Sequence, residues 1–145
     1  MNLQELLYKV SIISVVGTTD VEVVDIAFDS RKAKKDTLFV AIKGTQSDGR
    51  TYISQTIKAG ATVIVLEDMS TDLDDKITYV QVADSNIALG IIAANFYGNP
   101  SEKIKLVGVT GTNGKTTIVS LLTQLFSIMN IKVGMLSTIQ NKIFI

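Results

Sequence analysis

The stretch Val109-Thr110-Gly111-Thr112-Asn113-Gly114-Lys115-Thr116-Thr117 joins an apolar run at 103–110 to a helix-compatible run at 115–129. Small residues let a backbone fold tightly around oxygen atoms, consecutive N–H groups then point inward, and a following helix presents its positive end. That is the layout of a phosphate cradle. Gly111, Thr112, Asn113, Gly114, Lys115, Thr116 and Thr117 are therefore the candidate nucleotide-binding residues. Lys115 is placed to reach the β- and γ-phosphates and Thr116 to offer its hydroxyl to Mg²⁺, so these two are the candidate catalytic side chains and Thr116 the candidate metal ligand. The fit to G-x-x-x-x-G-K-[ST] is incomplete, since Val109 stands at the first glycine position and Gly108 lies one residue earlier. The competing reading is a glycine turn with a solvated lysine. A lysine at a helix N-terminus opposes the macrodipole, however, unless an anion is present.

Downstream, 132–136 reads as a strand, so 103–136 is expected to form a βαβ unit. Residues 137–145 supply no helix for the other face of such a sheet, and one βαβ unit cannot bury itself. The chain is therefore expected to stop inside a domain. Upstream, a short helix is expected at 2–8, then strands at 12–16, 21–28 and 38–42. A helix at 51–59 ends at Gly60, and 61–66 is a continuous apolar run of the kind found in a strand buried on both faces. A strand at 78–82 follows, and Asp84 or Ser85 can cap a helix through Ile87, Ile91 and Phe96 that stops at Gly98-Asn99-Pro100. That helix is apolar almost all round and is expected to be buried. The fold class is α/β, with a mixed-sheet domain at 1–100 and the first βαβ unit of a phosphate-loop domain at 101–145.

Composition narrows the chemistry. The 145 residues are 46% hydrophobic and 19% charged, with ten glycines and one proline, which is ordinary globular usage. Fourteen basic residues balance fourteen acidic ones, so no charge excess points to nucleic acid or an anionic membrane. With no cysteine and no histidine, the chain has no disulfide, thiolate nucleophile, imidazole base or Cys/His zinc site. Chemistry must rest on Lys, Asp, Glu, Ser, Thr or a bound cation. No run approaches the length of a membrane span and no leader is visible at the start, so a cytoplasmic protein is expected.

The segments Phe96-Tyr97-Gly98-Asn99-Pro100-Ser101 and 106–117 together resemble the Mur ligases, ATP-dependent enzymes that extend the stem peptide of peptidoglycan. A second block agrees: Asp29-Ser30-Arg31, then 36–44, Asp48-Gly49-Arg50 and Ala59-Gly60-Ala61. In that family the second block belongs to the domain that holds the UDP end of a nucleotide-linked substrate. The wording at 97–100 and 134–138 looks most like the members that add the third residue, a diamino acid, to UDP-N-acetylmuramoyl-L-alanyl-D-glutamate. The resemblance implies ATP and Mg²⁺ as cofactors, an acyl phosphate route to the amide, and a monomer in the full-length enzyme. It also implies that Ser30 and the backbone at Phe28 contact the uridine end and that Thr45, Gln46 and Ser47 line the uracil and diphosphate site. Hydroxyls, an amide and loop N–H groups suit a neutral pyrimidine and a diphosphate on chemical grounds as well. The family often carries a histidine where this chain has Thr45.

The blander reading of Asp29-Ser30-Arg31 is a polar strand end with a local ion pair, and Arg31 and Asp36 are taken as structural residues flanking a turn. Arg31, Lys32, Lys34 and Lys35 read as a solvated basic turn, and Asp68, Asp72, Asp74 and Asp75 as solvated surface. Tyr52, Phe96 and Tyr97 are spaced as core residues. Other readings stay open: a Mur ligase that adds D-Ala-D-Ala, a stand-alone nucleotide-sugar module, or an unrelated phosphate-loop kinase or GTPase. Family members continue into further metal-ligand and amino-acid-binding regions, so this chain alone is expected to be inactive.

Overall fold

In the structure, a computed structural model that describes residues 1–43, 48–69 and 73–144, the apolar runs before Ser85 pair into one five-stranded sheet. Its strands are β1 (Ile12–Val16), β2 (Asp25–Ala27), β3 (Thr37–Val40), β4 (Ala61–Leu66) and β5 (Thr78–Val82), in the order β1-β5-β4-β3-β2. β2 to β5 run parallel, and β1 closes the sheet antiparallel to β5. The mixed sheet expected for this region is observed, with 12–16, 61–66 and 78–82 at the expected bounds. The chain divides into two units, Met1–Ile104 and Lys105–Ile145, and this sheet belongs to the first.

Both faces of the sheet are covered. α1 (Leu3–Leu6) and α3 (Ser85–Phe96) contribute Leu3, Leu6, Ala88 and Ile92 to one core, against Leu38, Val40, Val63, Val65 and Val80. On the other face α2 (Ile53–Lys58) lays Ile53 and Ile57 over Phe39, Ile64, Leu66 and Tyr79. β4 is therefore buried from both sides, which is what its unbroken apolar run requires. Asp84 caps α3 by accepting from the amides of Asn86 and Ile87, and the helix ends before Gly98, whose φ is +70°.

Three expectations are corrected. The run 21–28 forms only the short strand β2, because 21–23 is held by the start of the chain: the Leu3 amide donates to the Val21 carbonyl and the Val23 amide to the Met1 carbonyl. α3 is not buried all round: Ser85, Ala88 and Ile92 are, whereas Ile87 is 63% exposed, since the sheet can cover one stripe only. Phe96 meets the core as expected, but Tyr52 and Tyr97 are exposed, at 40% and 66%.

The second unit contains α4 (Lys115–Ile128) followed by a hairpin of β6 (Val133–Leu136) and β7 (Asn141–Phe144). The α/β character expected of it is present, but 103–110 forms no ladder among the described residues. A parallel partner must be reached over a long crossover, whereas 137–140 closes an antiparallel pair with little loop entropy, so β6 pairs with β7. Met135 and Thr123 are buried in this unit, while Leu121, Leu125 and Ile128 on α4 are exposed. Among the described residues no helix is long and apolar enough to cross a membrane.

One glycine is fixed by space. A Cβ on Gly49 would lie 2.7 Å from the Ile42 nitrogen and 2.8 Å from its carbonyl oxygen. Gly90, in α3, has nothing within 4 Å of such an atom. Gly49→Ala is expected to cost about 1–3 kcal/mol through overpacking, and Gly90→Ala to stabilise by about 0.5–1 kcal/mol. Thermal melts of the two variants check this: equal melting temperatures would contradict the tight approach at Gly49.

Candidate functional site

Because β2 to β5 are parallel, the segments that follow them emerge at one edge of the sheet. After β2 come Phe28 and the Asp29-Ser30-Arg31 turn; after β3 comes Lys43; after β4 come Glu67 and Asp68; after β5 come Asp84 and Ser85. Open parallel sheets present their ligand-binding groups at this carboxyl edge.

Phe28 is 61% exposed, and Ser30 opens a 3₁₀ turn, Ser30–Lys32. Asp29 caps that turn: its carboxylate accepts from the Arg31 amide at 3.0 Å and from Nε and Nη2 of Arg31 at 2.9 and 2.7 Å. The local ion pair is thus real and leaves the Ser30 side chain without a hydrogen-bond partner among the described residues. Arg31 pairs with Asp29 rather than with Asp36. Asp36 instead bridges strands through its backbone, donating to the Gly60 carbonyl and accepting from the Val24 amide. The basic turn is not simply solvated either, since Lys34 meets Asp25 at 2.8 Å.

Thr45, Gln46 and Ser47 lie outside the described residues, as does Asp72. What flanks 44–47 is described. Lys43 and Asp48 form an isolated antiparallel bridge, and the Gly49 amide donates to the Ile42 carbonyl at 2.9 Å. Asp48 caps a second 3₁₀ turn, Gly49–Tyr52, and its carboxylate takes Nε and Nη2 of Arg50 at 2.8 and 2.6 Å. Hydrogen bonds from Arg50 hold the Asp48 carboxyl below its ordinary range, and Asp48 in turn raises the Arg50 guanidinium. Arg50 also donates through Nη1 to Asp68 at 2.9 Å, and Lys43 Nζ lies 3.6 Å from the same carboxylate oxygen. Asp68 is therefore a paired residue, not the solvated one expected.

A buried group stands behind this. Ser85 is fully buried, and both its amide and its hydroxyl donate to Glu67 Oε1, at 2.9 and 2.8 Å. Its hydroxyl oxygen accepts the Lys43 amide at 3.4 Å. Lys43, Glu67, Asp68 and Ser85 were not singled out as site residues by sequence reasoning. The available signal was positional: Glu67 and Asp68 directly follow the apolar run of β4.

In the second unit, Gly111 and Gly114 adopt φ of +144° and +77°. Gly114 is the N-cap of α4 and carries no side chain to cap it, so among the described residues the first-turn amides of Lys115, Thr116 and Thr117 have no side-chain acceptor. The first helical bond runs from the Ile118 amide to the Gly114 carbonyl. Lys115 Nζ turns back into the loop and donates to the carbonyls of Gly111 and Thr112. Thr112, Asn113 and Thr117 are exposed and Thr116 is half-buried. Free amides, a fixed ammonium and a hydroxyl in the first turn suit a polyphosphate with its cation, which also removes the clash between lysine and helix dipole. All seven loop residues named from the sequence meet here.

A family model described as "Mur ligase family, catalytic domain" matches residues 22–97. The chain is 52% identical over 142 residues to the UDP-N-acetylmuramoyl-L-alanyl-D-glutamate–2,6-diaminopimelate ligase of Cytophaga hutchinsonii, covering 97% of this chain and 29% of that relative. A solved structure of a ligase of the same name aligns with TM-score 0.73 at 23% identity, over 99% of this chain and 28% of that one, which is a likeness of fold. The MurF ligase of Thermotoga maritima in complex with ADP aligns with TM-score 0.54 at 28% identity, over 72% of this chain and 23% of that one. The chain thus spans under a third of the length of the relatives it matches.

The Asp29 carboxyl is lowered from an ordinary 3.8 to about 2, first by the side-chain hydrogen bond from Arg31 and then by the bond from its amide. With the folded value below the unfolded one, the stabilisation is full above pH 3.8 and is lost as pH falls through about 2. A carboxyl-carbon NMR titration should place Asp29 near 2 and, in Arg31→Met, back toward 3.8. An unchanged midpoint in the variant would contradict the pair.

Proposed function

We propose, for a chain that belongs to the Mur ligase family, that these residues serve an ATP-dependent ligase that adds 2,6-diaminopimelate to UDP-N-acetylmuramoyl-L-alanyl-D-glutamate in peptidoglycan synthesis. The observation that carries the substrate assignment is the 52% identity to the Cytophaga hutchinsonii ligase. In this reading residues 1–100 bind the UDP end of the substrate and residues 101–145 open the ATP-binding domain. On the same reading the full-length enzyme works as a monomer in the cytoplasm.

The proposed reaction moves the γ-phosphoryl group of ATP to the γ-carboxylate of the D-glutamyl residue, with ADP as the leaving group. The diamino acid amine then attacks the acyl carbon, the carbon–oxygen bond to phosphate breaks, and the amide forms with release of inorganic phosphate and a proton. Phosphoryl transfer of this kind is mostly positioning and charge stabilisation. The amides of 115–117 and the Lys115 ammonium neutralise the phosphate oxygens, and Gly111 and Gly114 keep the backbone close to them. Thr112 and Asn113 complete the rim of the loop. Thr116 would offer its hydroxyl oxygen to Mg²⁺, which would supply charge neutralisation at the phosphates. The backbone at Phe28 and the unengaged hydroxyl of Ser30 meet the uridine end, with Thr45, Gln46 and Ser47 as the further contacts.

The likeness to the ADP-bound MurF structure favours the same loop chemistry in a neighbouring enzyme, and a D-Ala-D-Ala-adding ligase is the second reading. A non-catalytic nucleotide-sugar module would need no working phosphate loop. Calorimetric titrations of the chain with ATP–Mg²⁺ and with UDP-N-acetylmuramoyl-L-alanyl-D-glutamate separate these. Lys115→Ala is expected to weaken ATP–Mg²⁺ by about tenfold or more and leave the UDP ligand unaffected, with Ser30→Ala doing the reverse. Full ATP affinity in Lys115→Ala would contradict the loop assignment.

A further inference from the structure

The dipeptide Asn113-Gly114 lies in the turn before α4 with neither of its reactive groups engaged. Asn113 and Gly114 are both exposed, and a Cβ built on Gly114 would meet nothing within 4 Å. The bonds of this loop run from Lys115 to the carbonyls of Gly111 and Thr112 and from the Ile118 amide to that of Gly114. Among the described residues the Asn113 carboxamide has no hydrogen-bond partner and the Gly114 amide no acceptor. A glycine after an asparagine leaves the next amide nitrogen unshielded and the backbone free to fold back on the side chain. The other six asparagines precede Leu3, Ile87, Phe96, Pro100, Ile131 and Lys142, five side chains that crowd that nitrogen and a proline that has no N–H. The comparable pair Asp48-Gly49 is locked. There the Gly49 amide donates to the Ile42 carbonyl at 2.9 Å, and the Asp48 carboxylate is held by the amide and guanidinium of Arg50.

We propose that Asn113-Gly114 is a self-modifying site that turns the loop off: the Asn113 side chain deamidates, and the carboxylate so formed repels the anionic ligand from the head of α4. The Gly114 amide nitrogen attacks Cγ of Asn113, the bond from Cγ to Nδ2 breaks, and Nδ2 leaves as ammonia with the amide proton, closing a cyclic imide. Water then opens the ring. Cleavage between the nitrogen and Cγ leaves aspartate at this position; cleavage between the nitrogen and the main-chain carbonyl carbon leaves isoaspartate, with the backbone rerouted through Cβ. Both products put a negative charge beside the uncapped first turn of α4. A carboxylate there favours the helix, so the fold does not resist the change, but it opposes a polyphosphate drawn to the same amides. Bound nucleotide protects the site in turn, because a phosphate held by the loop amides restrains the backbone that must close the ring. The effect on nucleotide binding rests on the reading of 111–117 as the ATP loop; the deamidation does not.

The test incubates the whole chain at mildly alkaline pH, with and without ATP–Mg²⁺, and follows its tryptic peptides by mass spectrometry. Peptide 106–115 carries Asn113 as its only side-chain amide. It is expected to gain aspartate and isoaspartate faster than every other asparagine-containing peptide, and more slowly with ATP–Mg²⁺ present, while Asp48-Gly49 isomerises only after denaturation. Calorimetry should show ATP–Mg²⁺ bound about tenfold or more weakly by Asn113→Asp than by Asn113→Ser, with equal melting temperatures. On incubation the wild-type affinity should fall and that of Asn113→Ser should hold at its starting value. Conversion of 106–115 no faster than that of the other asparagine peptides would overturn the proposal. So would equal ATP–Mg²⁺ affinity in Asn113→Asp and Asn113→Ser. A wild-type chain that binds no ATP–Mg²⁺ before incubation would instead remove the loop assignment, and the switch with it, even where 106–115 converts.

Discussion

The first unit depends on β4 being buried on both faces between two parallel neighbours. Val63 and Val65 face one core, Ile64 and Leu66 the other, and none of the four is more than 1% exposed. Each such side chain stabilises by roughly 1.5–3 kcal/mol when removed from water, so a polar group anywhere in the middle of this strand would undo the sheet. The same burial makes β3, β4 and β5 parallel, because helices or covering loops must lie on both faces. With their direction set, the chain emerges from every strand at the same edge.

That edge collects what the middle of the sheet excludes. Polar residues at strand ends cap turns (Asp29, Asp48, Asp84), pair across them (Arg31, Arg50) and link one strand end to the next (Glu67 with Ser85, Asp68 with Arg50). The two Asp-x-Arg turns use one device twice: an aspartate caps a 3₁₀ turn and holds the arginine two residues on, which leaves the middle residue, Ser30 or Gly49, free of the ion pair. The second unit has a different arrangement. Its loop exposes backbone amides at a helix start and has no carboxylate to compete for them, so Lys115 turns to the carbonyls of Gly111 and Thr112.

Much of this was legible in the residues. The bounds of β1, β4 and β5 follow from local patterning, as does the Asp84 cap, because each is decided within its own window. The glycine loop leading into α4 was legible for the same reason: its glycines, lysine and helix are contiguous. Where reading failed, the deciding partner was distant or absent. Residues 21–23 pair with the first three residues of the chain, and among the described residues 103–110 joins no strand, so apolar pattern alone misjudged both. Asp68 read as solvated surface because its partner, Arg50, lies 18 residues away. Thr45, Gln46 and Ser47 fall outside the described residues, so their role stands on the resemblance and on the chemistry of their side chains.

The most direct measurement is an amide chemical-shift map of the isotope-labelled chain titrated first with UDP-N-acetylmuramoyl-L-alanyl-D-glutamate and then with ATP–Mg²⁺. If the carboxyl edge of the sheet is the nucleotide-sugar site, the first ligand moves the amides of 28–32, 43–50 and 67–68 and leaves 111–117 in place. ATP–Mg²⁺ then moves 111–117. Shifts from the UDP ligand confined to the opposite edge, around Gly17, Thr18 and Thr62, or to 111–117 alone, would contradict the assignment of that edge.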